Sequence, residues 1–234
     1  MHAKRSRIPR KVKLDPPVLC RYSSGAMPVQ PLIACLDLEG VLVPEIWINI
    51  ADRTKIPELR LTTRDEPDYD LLMKRRLKIL KEHKLTLHDL QAVIAQMAPL
   101  EGAKDFLAWL RRQCQVVILS DTFVEFATPL MRQLDYPTIF CNFLEVDANG
   151  NIVNYHLRLK DQKRASVLAL KNLNFRAIAA GDSYNDTSML IAADAGIFFR
   201  PPPAIAAQFP QFPVTQNYTE LQAQFQRLGP LADA

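Results

Sequence analysis

Short apolar runs recur along the chain, each ending at polar residues, with segments of helical period between them. Ile33 to Leu36 begins just after a proline and is uninterrupted by polar residues, so it reads as a buried strand of a parallel sheet. Gln115 to Leu119, Thr138 to Phe143, Arg176 to Ala180 and Gly196 to Phe199 are further strands. Between them, Glu101 to Gln113 puts Phe106, Leu107, Trp109 and Leu110 on the buried side of a helix. Helices are also expected over Phe123 to Leu134, interrupted near Pro129, over Lys163 to Leu173, around Met189 to Ala193 and from about Tyr218. Asn149-Gly150 is the strongest turn signal in the chain and makes Leu144 to Leu159 a hairpin. The Pro-rich stretch 201 to 213 leads to the terminal helix.

One interval breaks the alternation. Residues 45 to 97 hold three helical segments and no strand: one that Pro44 and Glu45 start and that runs to about Thr54, Asp70 to His83, and Thr86 to Met97, which opens with a Thr-x-x-Asp cap. A polar loop broken by Pro57 and Pro67 separates the first two. The expected fold is therefore α/β, a Rossmann-like open parallel sheet with helices on both faces and a small helical cap inserted after the first strand. Residues 31–44 and 98–234 form the core, and 45–97 the cap that would exclude water and carry selectivity.

Composition sharpens this picture in two places. With 234 residues and 48% hydrophobic content the chain can bury a full core, and it has no apolar run long enough to cross a bilayer, so a soluble, cytoplasmic protein is expected. The four cysteines have no paired metal spacing and read as reduced thiols. The net charge of +4 comes from the amino terminus: residues 1–30 hold seven Lys or Arg and one Asp, against 22 basic and 24 acidic residues in the rest. That segment reads as a disordered extension or a start upstream of the true one at Met27. It has no aromatic residues interleaved for stacking on bases, and neither nucleic acid nor membrane is expected as a partner.

Three strands end in polar clusters: Asp37-Leu38-Glu39, Ser120-Asp121, and Gly181-Asp182-Ser183-Tyr184-Asn185-Asp186. In a parallel sheet these carboxyl ends open into one crevice, so residues distant in sequence would meet. A crevice rich in hard oxygen donors and lacking His or Cys clusters suits Mg²⁺. His83, His88 and His156 have no partners suggested by spacing and read as surface residues.

These motifs, in this order and with a lysine at Lys163 or Lys160 between the last two, resemble the haloacid dehalogenase superfamily of aspartyl phosphatases. The resemblance spans about residues 31 to 227. It is closest to the phosphoserine phosphatase branch, and within that to the bifunctional phosphatases that also transfer a phosphoryl group to homoserine, through the Asp-Leu-Glu-Gly, Ser-Asp-Thr and Gly-Asp-Ser-Tyr-Asn-Asp runs. The resemblance implies that Asp37 is the nucleophile and Glu39 the general acid and base. It implies Mg²⁺ held by Asp37, Asp182 and the carbonyl of Glu39, with Asp186 supporting the metal. Ser120 and Lys163 would hold phosphoryl oxygens, with Asp121 and Asn185 beside them; Lys163 is preferred to Lys160 because it opens the helix leading to the Asp182 strand. Glu45 would meet the ammonium and Arg76 the carboxylate of L-phosphoserine.

Two departures qualify the transfer: many phosphoserine phosphatases carry Asp at the Glu39 position and Ser-Gly-Gly in place of Ser120-Asp121-Thr122. The longer Glu39 could let homoserine compete with water for the phosphoryl group. A phospho-acceptor module without enzymatic activity would place its acidic pair first and lack the insertion at 45–97. A dehalogenase would need neither Glu39 nor Asp182. A phosphatase for another small phosphomonoester stays open, as does oligomeric state, a homodimer included.

Overall fold

The computed structural model describes residues 30–229 other than 64 and 67. The basic amino-terminal stretch 1–29, Cys20 and Pro67 lie outside them. β1 (Leu32–Leu36) is followed by α1 (Ile46–Thr54), a 3-10 turn at Pro57–Arg60, α2 (Tyr69–Glu82) and α3 (Leu87–Ile94). Then come α4 (Ala103–Gln113), β2 (Gln115–Phe123), α5 (Val124–Gln133), β3 (Thr138–Val146), β4 (Ile152–His156), α6 (Gln162–Asn172) and β5 (Arg176–Gly181). The chain continues through α7 (Thr187–Ala192), β6 (Ala195–Phe199), α8 (Pro203–Gln208), β7 (Val214–Thr215) and α9 (Tyr218–Leu228).

The strands form one sheet in the order β4-β3-β2-β1-β5-β6-β7, parallel except for the β3–β4 pair. The chain leaves β1 towards β2 and returns on its other side at β5, so the ends of β1 and β5 form a switch point, where ligands bind in open α/β sheets. Side chains alternate along β1: Ala34 and Leu36 join one hydrophobic cluster, Ile33 and Cys35 another. The first cluster runs without a break from Ile118 and Ile178 of the sheet to Trp47, Met73, Leu80 and Leu90 of α1, α2 and α3.

Several boundaries differ from the sequence reading. β2 does not stop at Leu119 but continues through Ser120, Asp121 and Thr122 to Phe123, with a shift of register against β3 between Leu119 and Phe123. Such a bulge re-aims side chains, here those of the polar cluster. α5 is not interrupted at Pro129. The ring lacks the N–H that would reach the Glu125 carbonyl, and the Gln91 side chain from α3 donates to that carbonyl instead, at 2.9 Å. The loop after α1 contains the 3-10 turn, and the Pro-rich stretch contains α8 and β7. Pro213 precedes β7 at the sheet edge, where the absence of a donor is tolerated. No helix among the described residues is long and apolar enough to cross a membrane.

Candidate active site

Asp37 is the first residue past β1, and its amide still pairs with the Ala180 carbonyl of β5 at 2.9 Å. That bond carries the sheet one residue further and fixes the backbone that presents the carboxylate. Gly40 turns the chain back with φ +77°, and a Cβ there would lie 2.4 Å from the Asp182 carboxyl carbon. Only glycine lets the two loops approach this closely. Gly181 plays the same part against Asp186, where a Cβ would meet that side chain at 2.4 Å.

Lys163, in the first turn of α6, is buried with its ammonium 2.9 Å from Asp37 Oδ1, 2.7 Å from Asp186 Oδ1 and 3.8 Å from Asp121 Oδ2. Lys160 is exposed, so packing brings Lys163 to Asp37 and leaves Lys160 outside. Burial acts to lower the Lys163 ammonium, but Asp186, Asp37 and Asp121 override it and hold it well above the ordinary lysine range. Burial and the neighbouring Asp186 push the Asp37 carboxyl up, against the pull of Lys163. Asp186 uses its second oxygen to accept the amides of Asp182 and Ser183, each at 3.0 Å, with the Ser183 hydroxyl oxygen 3.1 Å away.

Glu39 accepts the Ile46 amide at 2.7 Å, the first free N–H of α1. Part of the residue faces the cavity, while its carboxyl group is enclosed; burial, with Glu45 close by, pushes it up to about 8. The Ile46 amide, Arg76 and Lys163 act the other way. The balance favours its protonated form.

The bulged end of β2 is tied from several directions. Gln162 donates to the Ser120 carbonyl at 2.5 Å and to Asp121 Oδ1 at 3.3 Å, and the Asp121 carbonyl accepts from Asn142 at 3.0 Å and from the Tyr69 hydroxyl at 3.3 Å. Asn185 donates to Asp121 Oδ2 at 3.2 Å, and the Ser183 hydroxyl donates to the Asn185 side-chain oxygen. Ser120 is buried, its hydroxyl accepting the Thr122 amide at 3.3 Å.

A cavity of about 100 Å³ lies over these groups, lined on its other side by Glu45, Trp47, Thr62, Thr63, Tyr69 and Arg76. Arg76 is 6% exposed, its guanidinium stacked 4.3 Å over the Trp47 ring and donating to the Leu61 carbonyl at 2.8 Å. Its Nε has no hydrogen-bond partner among the described residues. Burial pulls Arg76 down to about 10, opposed by Tyr69, Glu39 and Glu45, and it stays a cation at neutral pH.

Nine residues singled out in the sequence line this cavity together: Asp37, Glu39, Glu45, Arg76, Ser120, Asp121, Lys163, Asp182 and Asn185. Asp186 stands behind it, fully buried. Asp37, Asp182 and Asp186 each offer a carboxylate oxygen within 4.8 Å of the others, a donor set that suits a small hard divalent cation. Trp47, Thr62, Thr63, Tyr69 and Gln162 were not foreseen, and Thr122 and Ser183 were named only as members of their motifs. Trp47 carried only the signature of a helix's buried face, and nothing local marks Tyr69 or Gln162. His83, His88 and His156 stand outside the cavity, and His156, for which spacing suggested no partner, meets Glu145 at 3.1 Å on the surface.

Residues 33–194 match the model of a protein family described as haloacid dehalogenase-like hydrolase. The chain is 61% identical over 193 residues to a phosphoserine phosphatase of Pseudomonas syringae pv. tomato, covering 82% of this chain and 81% of that protein. It is 60% identical to phosphoserine phosphatase ThrH of Pseudomonas aeruginosa, covering 82% of this chain and 94% of that one. Among solved structures, a crystal structure of phosphoserine phosphatase in apo form superposes with a TM-score of 0.68 at 20% identity, over 82% of this chain and 98% of the other. A phospho-aspartyl intermediate analogue of phosphoserine phosphatase superposes with a TM-score of 0.70 at 18% identity, over 84% and 99%. At these identities the superpositions speak for a shared fold.

Proposed function

The chain belongs to the haloacid dehalogenase-like hydrolases, and from that premise we propose that it removes the phosphoryl group of L-phosphoserine through an aspartyl-phosphate on Asp37. One observation carries this reading: the Asp37 carboxylate lies 2.9 Å from the Lys163 ammonium in a cavity that Glu39, Ser120 and Asp182 also line. The identity to two phosphoserine phosphatases supports the choice of substrate.

In the first step Asp37 attacks phosphorus and the bond from phosphorus to the seryl oxygen breaks. The proton carried by Glu39 passes to that oxygen, so serine leaves neutral at its hydroxyl. In the second, water attacks the phosphorus, its proton returns to Glu39, and the bond to Asp37 breaks to release phosphate. Lys163 and Ser120 hold the phosphoryl oxygens as charge shifts. Glu45 faces the substrate ammonium and Arg76 its carboxylate, the unpartnered Nε supporting that role. Homoserine, one methylene longer than serine, is the proposed alternative acceptor in the second step. α1, α2 and α3 act as the cap that keeps bulk water from the phospho-enzyme.

Mg²⁺ is the proposed cofactor. The clustered carboxylates fit it, and Gly40 and Gly181 provide the close approach that Asp182 and Asp186 need. Asp37, Asp182 and the Glu39 carbonyl would hold it, and Asp186 would orient Asp182 through that residue's amide. Once bound, it would offset the negative charge shared by nucleophile and phosphate. A cytoplasmic location is proposed, in keeping with the free thiols of Cys35, Cys114 and Cys141.

The test is phosphate release from L-phosphoserine with and without Mg²⁺, wild type against Asp37→Asn, with a parallel sample containing homoserine assayed for phosphohomoserine. Metal-dependent release that the substitution abolishes supports the mechanism. A folded wild type without turnover rejects this substrate. Phosphate release without phosphohomoserine rejects the transfer.

A further inference from the structure

Chain passes between the sheet and α1–α3 twice, through residues 37–45 and 95–102, and one side chain from the far end of the sequence touches both crossings. Tyr218 opens α9, outside the stretch 33–194 that the family model matches. Its hydroxyl donates to the Val41 carbonyl at 2.8 Å, across 177 residues of sequence. Val41 is fully buried, and this is the one hydrogen bond to that carbonyl among the described residues. The Tyr218 ring lies on the second crossing: a Cβ on Gly102 would sit 3.0 Å from Tyr218 Cδ2. Gly102, at φ +83°, caps α4, and the crossings are joined directly by the Leu100 amide on the Leu42 carbonyl at 2.9 Å. The ring is itself fixed, stacked on Phe199 at 4.8 Å and on Phe106 at 5.2 Å between centroids.

Val41 stands in the turn that follows Asp37 and Glu39. Within the turn, Gly40 donates to Val43, and Leu42 and Val43 donate to Leu38, so residues 38–43 move as a unit. Asp37 is anchored upstream by β5, whereas Glu39 lies inside the unit and depends on what holds it from outside. We propose that Tyr218 is a positioning residue that clamps this turn to the second crossing and so sets Glu39 relative to Asp37. Burial keeps the phenol protonated, pushed up to about 12, and it remains a donor throughout the neutral range. The kinetic part of the inference rests on the phosphatase reading above; the clamp itself does not.

Full-length Tyr218→Phe keeps the stacked ring and removes only the hydroxyl, and Tyr218→Leu removes both. Hydrogen exchange is measured at the amides of Gly40, Leu42, Val43 and Leu100, and at Ile178 and Ala179 of β5 as controls, beside kcat and KM on L-phosphoserine. The loss of one buried hydrogen bond is expected to speed exchange at the three turn amides and at Leu100 by about two- to tenfold in Tyr218→Phe, and further in Tyr218→Leu. The β5 amides stay unchanged, and kcat falls over the same range with KM within about twofold, as expected of a group that acts on the chemical step. Unchanged exchange at the turn overturns the clamp, as does faster exchange spread equally to β5, the signature of general destabilisation. Faster turn exchange with unaltered kcat overturns the positioning role. A wild type that does not turn over phosphoserine counts against the earlier reading alone, and exchange still decides the clamp.

Discussion

Lys163→Met removes the ammonium shared by Asp37 and Asp186 while keeping an unbranched side chain in its place. The three side chains are almost closed to solvent, at 3%, 6% and 0% exposure for Lys163, Asp37 and Asp186. At contacts of 2.9 and 2.7 Å, each ion pair amounts to about 6 kcal/mol for an effective dielectric of about 20. Without the cation, two carboxylates with oxygens within 4.8 Å repel by about 3 to 4 kcal/mol on the same scale. Proton uptake and admitted water relieve part of this, so the expected net loss is the about 3 to 5 kcal/mol typical of a buried pair deprived of one partner. The assay is urea unfolding in EDTA, followed by emission from Trp47 and Trp109. With a slope of about 1 to 3 kcal/mol per molar urea, the midpoint should fall by about 1 to 5 M. Added Mg²⁺ should return part of the loss, because it places positive charge among the same carboxylates. A midpoint within about 0.3 M of wild type in EDTA would refute the reasoning, since the carboxylates would then not depend on Lys163.

Arg76→Lys discards the planar fork stacked on Trp47; KM for L-phosphoserine is expected to rise about 10- to 100-fold with kcat little changed, while KM for phosphoethanolamine, which has no carboxylate, stays put. An equal rise for both substrates would rule out the carboxylate contact. Asp194 joins α6 to β5, with Oδ1 2.8 Å from the Lys171 ammonium and Oδ2 accepting the Ala177 amide at 2.8 Å. Burial acts to raise this carboxyl, but those two partners outweigh it and hold it below its ordinary value. Its contribution is therefore present above the unfolded value of about 3.9 and lost as pH falls through the folded one. Asp194→Asn should cost about 0.5 to 1 kcal/mol at pH 7, discounted for a side chain one-third exposed, and the gap in thermal midpoint should close below about pH 4. A gap that persists there would contradict the ion pair.

The order of elements and the acidic endings of β1 and β5 were legible because both are local. A short apolar run marks a buried strand wherever it sits, and the residues after it fall at the sheet's carboxyl edge. Asp37, Glu39, Asp182 and Asn185 follow from that alone, as does an inserted set of helices from the helical periods at 45–97. The continuation of β2 past Leu119 was not legible, since Ser120, Asp121 and Thr122 carry no strand signal and are held by Gln162, Asn142 and Tyr69. α8 and β7 are too short for a period to show.

The sequence by itself determined the core strands β1, β5 and β6, the polar ends of β1 and β5 and the helical insertion, because each depends on hydrophobic patterning within a few residues. Only the tertiary structure decided between Lys160 and Lys163, three positions apart at the start of α6. The opening of the helix favoured Lys163, and burial against Asp37 and Asp186 selects it. The same holds for the Trp47 stack that carries Arg76 and for the Tyr218 hydroxyl on Val41, contacts between residues 29 and 177 positions apart. Contacts at such separations exist only once the sheet has assembled and the helices have packed on it.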